Sequence, residues 1–383
     1  MPPSLARRAR GSGVALVTLV ALGLAAACTL LNPLDEYERG SGDAGAEAAV
    51  DANAPDAGGD ACILSRWPAR PTTDDGPGDV AFVNALVTFT AERDRDAGPD
   101  LVEGYDLDGV CTCPQAESCK TRPDTAPRCD GPGGVDNYGG ELLTTVAALA
   151  DSKADVSSRL RSGDYGLLFR VRGYNGGAND SQVEMAIFLS NGAEGIEDGG
   201  VPTRPQYDGN DRWTLDPKSL AGGTGPPYVP NFVDANAYVT DHVLVATVDF
   251  PLRIGRMTVQ LIGSVVTGTL VKDSVGYHID DGRIAGRVAA RQLLTNFAPI
   301  ADPFVPGGHL CGDASVTYQD AKTQVCAATD IVSDLKQDNT SAPCDALAVN
   351  GRFRSSTAQL GVVFGLPPPP TPCGPQWVDD CPK

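Results

Sequence analysis

The chain has 383 residues, 49 of them acidic and 30 basic, for a formal net charge of −19, and 42% are hydrophobic. So acidic a surface repels nucleic acid and excludes DNA or RNA as a partner, while the apolar share is large enough to fill a real core. The three histidines, His242, His278 and His309, are too scattered to make a paired-histidine metal motif.

The first predicted element is a leader. "MPPSLARRARGSGVALVTLVALGLAAAC" places Arg7, Arg8 and Arg10 ahead of an apolar run, residues 14–27, that is too short to span a bilayer comfortably and closes on small residues. This is the pattern of a secretory signal peptide over residues 1–27. Leu24-Ala25-Ala26-Ala27-Cys28 resembles a bacterial lipobox, with the leucine one place further upstream than in the family pattern. The resemblance implies cleavage before Cys28, a lipid thioether on its sulfur, and anchoring in a membrane; Thr29 after it is similar to residues that permit transfer to the outer membrane. The alternative is an ordinary signal peptide cut after the alanines, with Cys28 an unmodified thiol. Setting the three leader arginines aside leaves a mature chain at −22.

Residues 28–61 form a lipidated terminus and tether. "DEYERGSGDAGAEAAVDANAPDAGGDA" has almost no large apolar side chain, so it lacks the surface to offset the entropy of ordering. As a flexible coil, Cys28 to Cys62 reaches roughly 30 Å. Leader, lipobox and Asp/Ala/Gly tether together resemble the surface lipoproteins of myxobacteria-like bacteria. That likeness covers the first 61 residues and implies a location at the outer membrane, on its periplasmic or cell-surface face.

Residues 62–383 read as a single disulfide-bonded, β-rich domain. Apart from Cys28 there are ten cysteines: Cys62, Cys111, Cys113, Cys119 and Cys129 before residue 130, and Cys311, Cys326, Cys344, Cys373 and Cys381 after residue 310. An even number in an exported chain predicts a disulfide framework. With five in each group, full pairing requires at least one bridge between them. The alternatives are a pair of reduced cysteines, or a four-cysteine zinc site within "CTCPQAESCKTRPDTAPRC".

In chain order, "DVAFVNALVTFT" (79–90) predicts a strand. A turn-rich cysteine segment follows to residue 140, and the spacing of Leu142, Leu143, Val146, Leu149, Val156 and Leu160 predicts one or two helices ending at Gly163. "YGLLFRVRGY" and "SQVEMAIFLSN" predict strands joined by a turn at "NGGAND". Residues 191–236 read as a long loop interrupted by "RWTL", and 238–290 as a β-meander with a turn at "DDG" (280–282). Helix is expected at "RVAARQLLTNF" and "YQDAKTQVCAATDIVSDLK", strand at "RFRSSTAQLGVVFGL", and polyproline II at "PPPPTP". Strands outnumber helices, and the expected architecture is a β-sandwich with short helices and disulfide-rich elaborations.

No G-x-S-x-G, H-E-x-x-H, Walker loop or dinucleotide fingerprint occurs. The segment with chemical potential is "EGYDLDGVCTC" with "CDGPGGVDN". Asp106-x-Asp108-Gly109 resembles the start of a calcium loop of the thrombospondin type 3 kind, and Asp130, Asp136 and Asn137 could supply further oxygens if disulfides fold the second segment onto the first. The competing reading makes these residues turn formers and a helix cap. Two functions stay open: an outer-membrane-anchored protein with a binding or structural role toward a cell-surface glycan or protein, or a polysaccharide hydrolase using a carboxylate pair.

Overall fold

The computed structural model describes residues 62–91, 104–113, 117–122, 125, 128–140, 142, 156–195, 204–254, 257–368 and 370–382. Leader, lipobox and tether lie outside these. Thirteen strands are present: β1 (Val80–Thr90), β2 (Gly166–Tyr174), β3 (Asp180–Ser190), β4 (Arg212–Leu215), β5 (Leu220–Gly222), β6 (Val229–Pro230), β7 (Phe232–Thr240), β8 (Val243–Thr247), β9 (Phe250–Ile254), β10 (Met257–Lys272), β11 (Tyr277–Ala289), β12 (Ala346–Thr357) and β13 (Gln359–Val363). Among the described residues they are joined by α1 (Val156–Ser162), α2 (Ala290–Thr295) and α3 (Val316–Ala327), and residues 138–140 and 142 are also helical.

The fold is mainly β, as expected, but it is a barrel rather than a sandwich. Eight antiparallel strands run β11-β12-β1-β2-β3-β7-β8-β10, and β10 pairs again with β11 to close the ring. β10 makes this closure. Along one edge it pairs first with β9 (Met257 opposite Ile254) and then with β8 (Val265 opposite Thr247), while its other edge pairs with β11. The expected turn at 280–282 is instead a bulge inside β11: the register slips between Thr267/Arg283 and Thr269/Asp280, and Asp281 takes φ +44°. Glycine is needed there because a Cβ on Gly268 would meet Ile279 Cγ2 at 2.2 Å and one on Gly282 would meet the Phe353 ring at 2.4 Å. Such bulges bend long strands and permit closure. The turn itself comes earlier, at Asp273–Gly276, where Asp273 Oδ1 accepts from the N–H groups of Val275 and Gly276.

Alternation along each strand sorts its residues between two faces. Leu167, Phe169 and Val171 of β2, Val183, Met185, Ile187 and Leu189 of β3, and Leu347, Val349 and Phe353 of β12 point inward and fill the barrel. The same cluster continues into α2 and α3 through Leu293, Leu294, Phe297, Tyr318 and Val325. On the outer wall, Ala85, Leu168, Ala186 and Phe188 are covered by fully buried Trp213 and Leu215 of β4, which pairs in parallel with β13. Thus the span expected as a loop, 191–236, contains β4, β5 and β6 and begins β7. Helix was expected over 141–163; α1 realises its end, stopping at Gly163 with φ +76°.

Four disulfides are present: Cys62–Cys111, Cys119–Cys344, Cys311–Cys373 and Cys326–Cys381. The second is the expected bridge between the two groups of cysteines. Cys113 and Cys129 are thiols, so the expected five bridges are four. Four disulfides mark a chain that matures in an oxidising compartment. No helix among the described residues is long and apolar enough to cross a membrane.

Cys119–Cys344 spans 225 residues and should contribute most among the four. Replacing both cysteines with serine is expected to lower unfolding free energy by about 2–5 kcal/mol in urea melts, against a smaller loss for the Cys311/Cys373 pair. Equal losses would show that loop length does not set the contribution.

Candidate metal centre

The acidic loop lies on the outer wall of the barrel because apolar side chains seat it there. Tyr105 packs edge-on against Trp67 with ring centroids 6.0 Å apart, rests on Val245, Val265 and Ala285, and its hydroxyl hydrogen-bonds Thr267 Oγ1 at 2.8 Å. Leu107 packs on Ile331, Ala346 and Ala348. Two polar side chains of the wall then hold the backbone. Asn350 of β12 accepts from Tyr105 N–H at Oδ1 (3.1 Å) and donates through Nδ2 to Asp136 O. Arg287 of β11, almost fully buried, donates to Leu107 O (2.7 Å) and Val332 O (3.0 Å) and makes a two-point ion pair with Asp338. Asn350 thereby ties the 105–108 and 136–137 segments to one strand.

Within this clamp each aspartate commits one carboxylate oxygen to a backbone N–H. Asp106 Oδ1 accepts from the N–H groups of Asp108 (3.2 Å) and Gly109 (2.6 Å), and Asp108 Oδ1 from Val110 N–H (2.9 Å). Asp136 Oδ2 accepts from Leu107 N–H (2.6 Å), and Asp130 Oδ2 from Thr112 N–H (2.6 Å). The turn-forming reading therefore holds for one oxygen each of Asp106 and Asp108, while Asp136 and Asp130 use theirs to tie distant segments together.

The convergence expected for a cation is also there. Asp106, Asp108 and Asp136 are all buried, and each offers a carboxylate oxygen within 4.8 Å of the other two. Asp108 Oδ2 is buried and makes no hydrogen bond of good geometry, although the Ser118 hydroxyl lies close enough to lower the Asp108 pKa. Asp106 Oδ2 has no hydrogen bond either, only an ion pair at 3.0 Å with half-exposed Arg66. Oxygens around calcium at 2.3–2.6 Å lie at most about 5 Å apart, so this spacing suits that ion.

Asp130 lies beside the cluster, hydrogen-bonded to Asp136 and close enough to Asp108 to feel its charge, but it is not among the three whose oxygens converge. Asn137 does not: its Oδ1 accepts from Asn350 N–H at 2.9 Å, so it is a strap. A fifth aspartate, Asp330, is buried beside Asp130 and Asp136, with Oδ1 accepting from Ala348 N–H at 2.8 Å. No spacing rule points to Asp330, which sits in what reads as a helical segment; only the β12 pairing brings it here. The zinc alternative is excluded, since Cys111 and Cys119 are both consumed in disulfides.

Burial raises the pKa of every member. Desolvation is the leading cause for Asp106, Asp108, Asp130, Asp136 and Asp330, and for the last four the neighbouring carboxylates add to it. Asp130 rises to about 7 and Asp330 to about 8, and Asp136 lies well above the ordinary carboxylate range. The cluster opens on a small cleft lined by Arg128, Cys129, Asp130, Asn137, Tyr138 and Asp330, with room for about one water molecule.

Comparison with known protein families, with curated proteins and with solved structures finds no match for this chain. The reading of the centre rests on its geometry.

Raised carboxylate pKa values have a definite consequence for stability. The folded state binds more protons than the unfolded state between about pH 4 and pH 8, so unfolding free energy falls as pH rises through that window. In chelator, the melting temperature is expected to drop from pH 5 to pH 8, and Asp130→Asn with Asp330→Asn to flatten that drop. A profile that rises over the same range would show the carboxylates to be solvated.

Proposed function

We propose that this chain is an exported, lipid-anchored barrel protein that binds calcium at Asp106, Asp108 and Asp136, with Asp130 beside them, and that serves a binding or structural role at the outer membrane. The observation that carries the cation reading is the convergence of three buried carboxylate oxygens within 4.8 Å, with Asp108 Oδ2 unpartnered. A buried anion without a partner is costly, and a hard divalent cation is the ligand that discharges several at once. The oxygen-only donor set selects calcium or a similar hard ion over zinc or copper.

The anchor half of the reading is supported by the leader and by Leu24-Ala25-Ala26-Ala27-Cys28, which lie outside the described residues. The disulfides agree with export. The glycoside-hydrolase reading needs two carboxyl groups flanking a sugar-sized cleft. Here the carboxylates are packed together, with Arg66 on Asp106, and the cleft lined by Asp130 and Asp330 has room for about one water molecule rather than a sugar ring. The geometry therefore favours ion binding over hydrolysis.

Calcium at a hundredfold excess over Kd should raise stability by about 2.7 kcal/mol, read as a higher melting temperature at pH 8. Asp108→Asn is expected to melt higher than wild type in chelator, because it removes a buried charge, yet to lose the calcium increment. If calcium stabilises neither protein, the aspartates are turn formers alone and the reading is wrong.

For the anchor, Cys28→Ser should abolish incorporation of labelled palmitate and release the protein from the membrane fraction. Retention of the variant in membranes, with an unlabelled wild type, would count against lipidation.

A further inference from the structure

Two thiols remain beside the acidic cluster. Asp130 N–H donates to Thr112 O at 3.4 Å and Thr112 N–H donates to Asp130 Oδ2 at 2.6 Å, so segments 111–113 and 129–131 lie side by side. Cys113 follows Thr112 and Cys129 precedes Asp130, and the two cysteine side chains are within hydrogen-bonding contact. Cys129 is exposed and lines the same cleft as Asp130 and Asp330, whereas Cys113 is half-buried. The eight other cysteines among the described residues are already bridged.

The two segments are also held unequally. Cys111 is bridged to Cys62, and Leu107 O is held by Arg287, so the first segment is fixed to the body. The 129–131 segment carries Asp130 but no covalent tie of its own. A link between Cys113 and Cys129 would fix Asp130 against Thr112, one residue from the bridge.

We propose that Cys113 and Cys129 form a fifth, exchangeable disulfide, and that its closure tightens the acidic loop on its cation; the second half of this rests on the calcium reading above. The chemistry is thiol–disulfide exchange with a small soluble disulfide such as oxidised glutathione. The exposed Cys129 thiolate attacks one sulfur of that disulfide and expels a thiolate, giving a mixed disulfide. Cys113 then loses its proton, attacks Cys129 Sγ and expels the second thiolate. Two protons and two electrons pass from the cysteine pair to the oxidant, which leaves as two thiols. Coupling is reciprocal: a bridge that pre-positions Asp130 favours the cation, and a cation that draws Asp130 inward brings Cys129 to Cys113.

The test equilibrates the purified full-length protein in glutathione redox buffers, with and without calcium, followed by alkylation and peptide mapping of every cysteine. Cys113 and Cys129 should convert together between thiols and a mutual disulfide while the four other bridges persist. The oxidised form should bind calcium at least about fivefold more tightly than the reduced form. Calcium should in turn move the midpoint about 20 mV more negative, the same fivefold at 29.6 mV per tenfold. Cys113→Ser with Cys129→Ser should bind calcium with the reduced form's affinity at every glutathione ratio.

Absence of the Cys113–Cys129 peptide at all ratios overturns the bridge. A bridge that forms with no change in calcium affinity overturns the coupling and leaves the calcium reading intact. A bridge that forms in a protein that binds no calcium in either state overturns the coupling through failure of the calcium reading.

Discussion

Closure of the sheet between β10 and β11 is the constraint on which the other features depend. β10 is 16 residues long and pairs on both edges, so its bends decide whether the sheet stays open or returns on itself. With the bulge at Gly268 and Gly282 it returns. A closed ring has a single interior, which Phe169, Met185 and Phe353 and their neighbours fill completely. The residues between them must then face outward, and several of those are also apolar, among them Phe188, Val245 and Val265. An apolar outer wall demands a cover. The β4/β13 layer supplies it on one side and the Trp67–Tyr105 segments on another, and the second cover is what carries the aspartates to their positions.

The centre is thus made by placing a charged loop where the barrel needs an apolar lid. Two carboxylates about 4.8 Å apart repel by on the order of 3 kcal/mol when both are ionised, at an effective dielectric near 20. Three such pairs would rival the whole stability of a typical domain. Protons or a cation must therefore discharge the cluster. Nearby cations do not do so: Arg287 is committed to Asp338, and Arg66 reaches Asp106 alone from a half-exposed position. Peptide N–H groups satisfy one oxygen of each carboxylate, and Asp106 Oδ2 and Asp108 Oδ2 are left without a hydrogen bond. What remains is a set of hard oxygen donors at the spacing of a divalent ion.

Most elements were legible in the sequence because they depend on local pattern. Apolar alternation gives β1, β2, β3 and the strands of the meander, and Asp106-x-Asp108-Gly109 with Asp130 and Asp136 marks the cluster from spacing and turn chemistry. What was not legible is long-range. Barrel and sandwich share the same alternation and differ in whether β1 pairs with β12, a partner more than 250 residues away (Phe89 opposite Phe353). Asp-Asp-Gly at 280–282 reads as a turn because local chemistry does not distinguish a turn from a bulge; the partner strand decides. Asn137 carries the right oxygen for a ligand, but Asn350 takes it. Asp330 becomes part of the centre only through β12 and the Cys119–Cys344 bridge that brings the two ends of the chain together.

On the proposed calcium reading, disulfides and cation act on the same loop in opposite senses. Cys62–Cys111 and Cys119–Cys344 reduce the freedom of the acidic segments and so hold the carboxylates close whether or not an ion is present. That restraint raises the electrostatic cost of the ion-free state, and for the same reason lowers the ordering entropy lost when an ion binds. Covalent preorganisation therefore shifts binding energy into affinity at the expense of ion-free stability. A loop with fewer bridges would splay its carboxylates into water and bind weakly; a loop with every segment bridged would hold the strongest repulsion. The unbridged 129–131 segment lies between these limits, and it is the part of the centre whose freedom can still change.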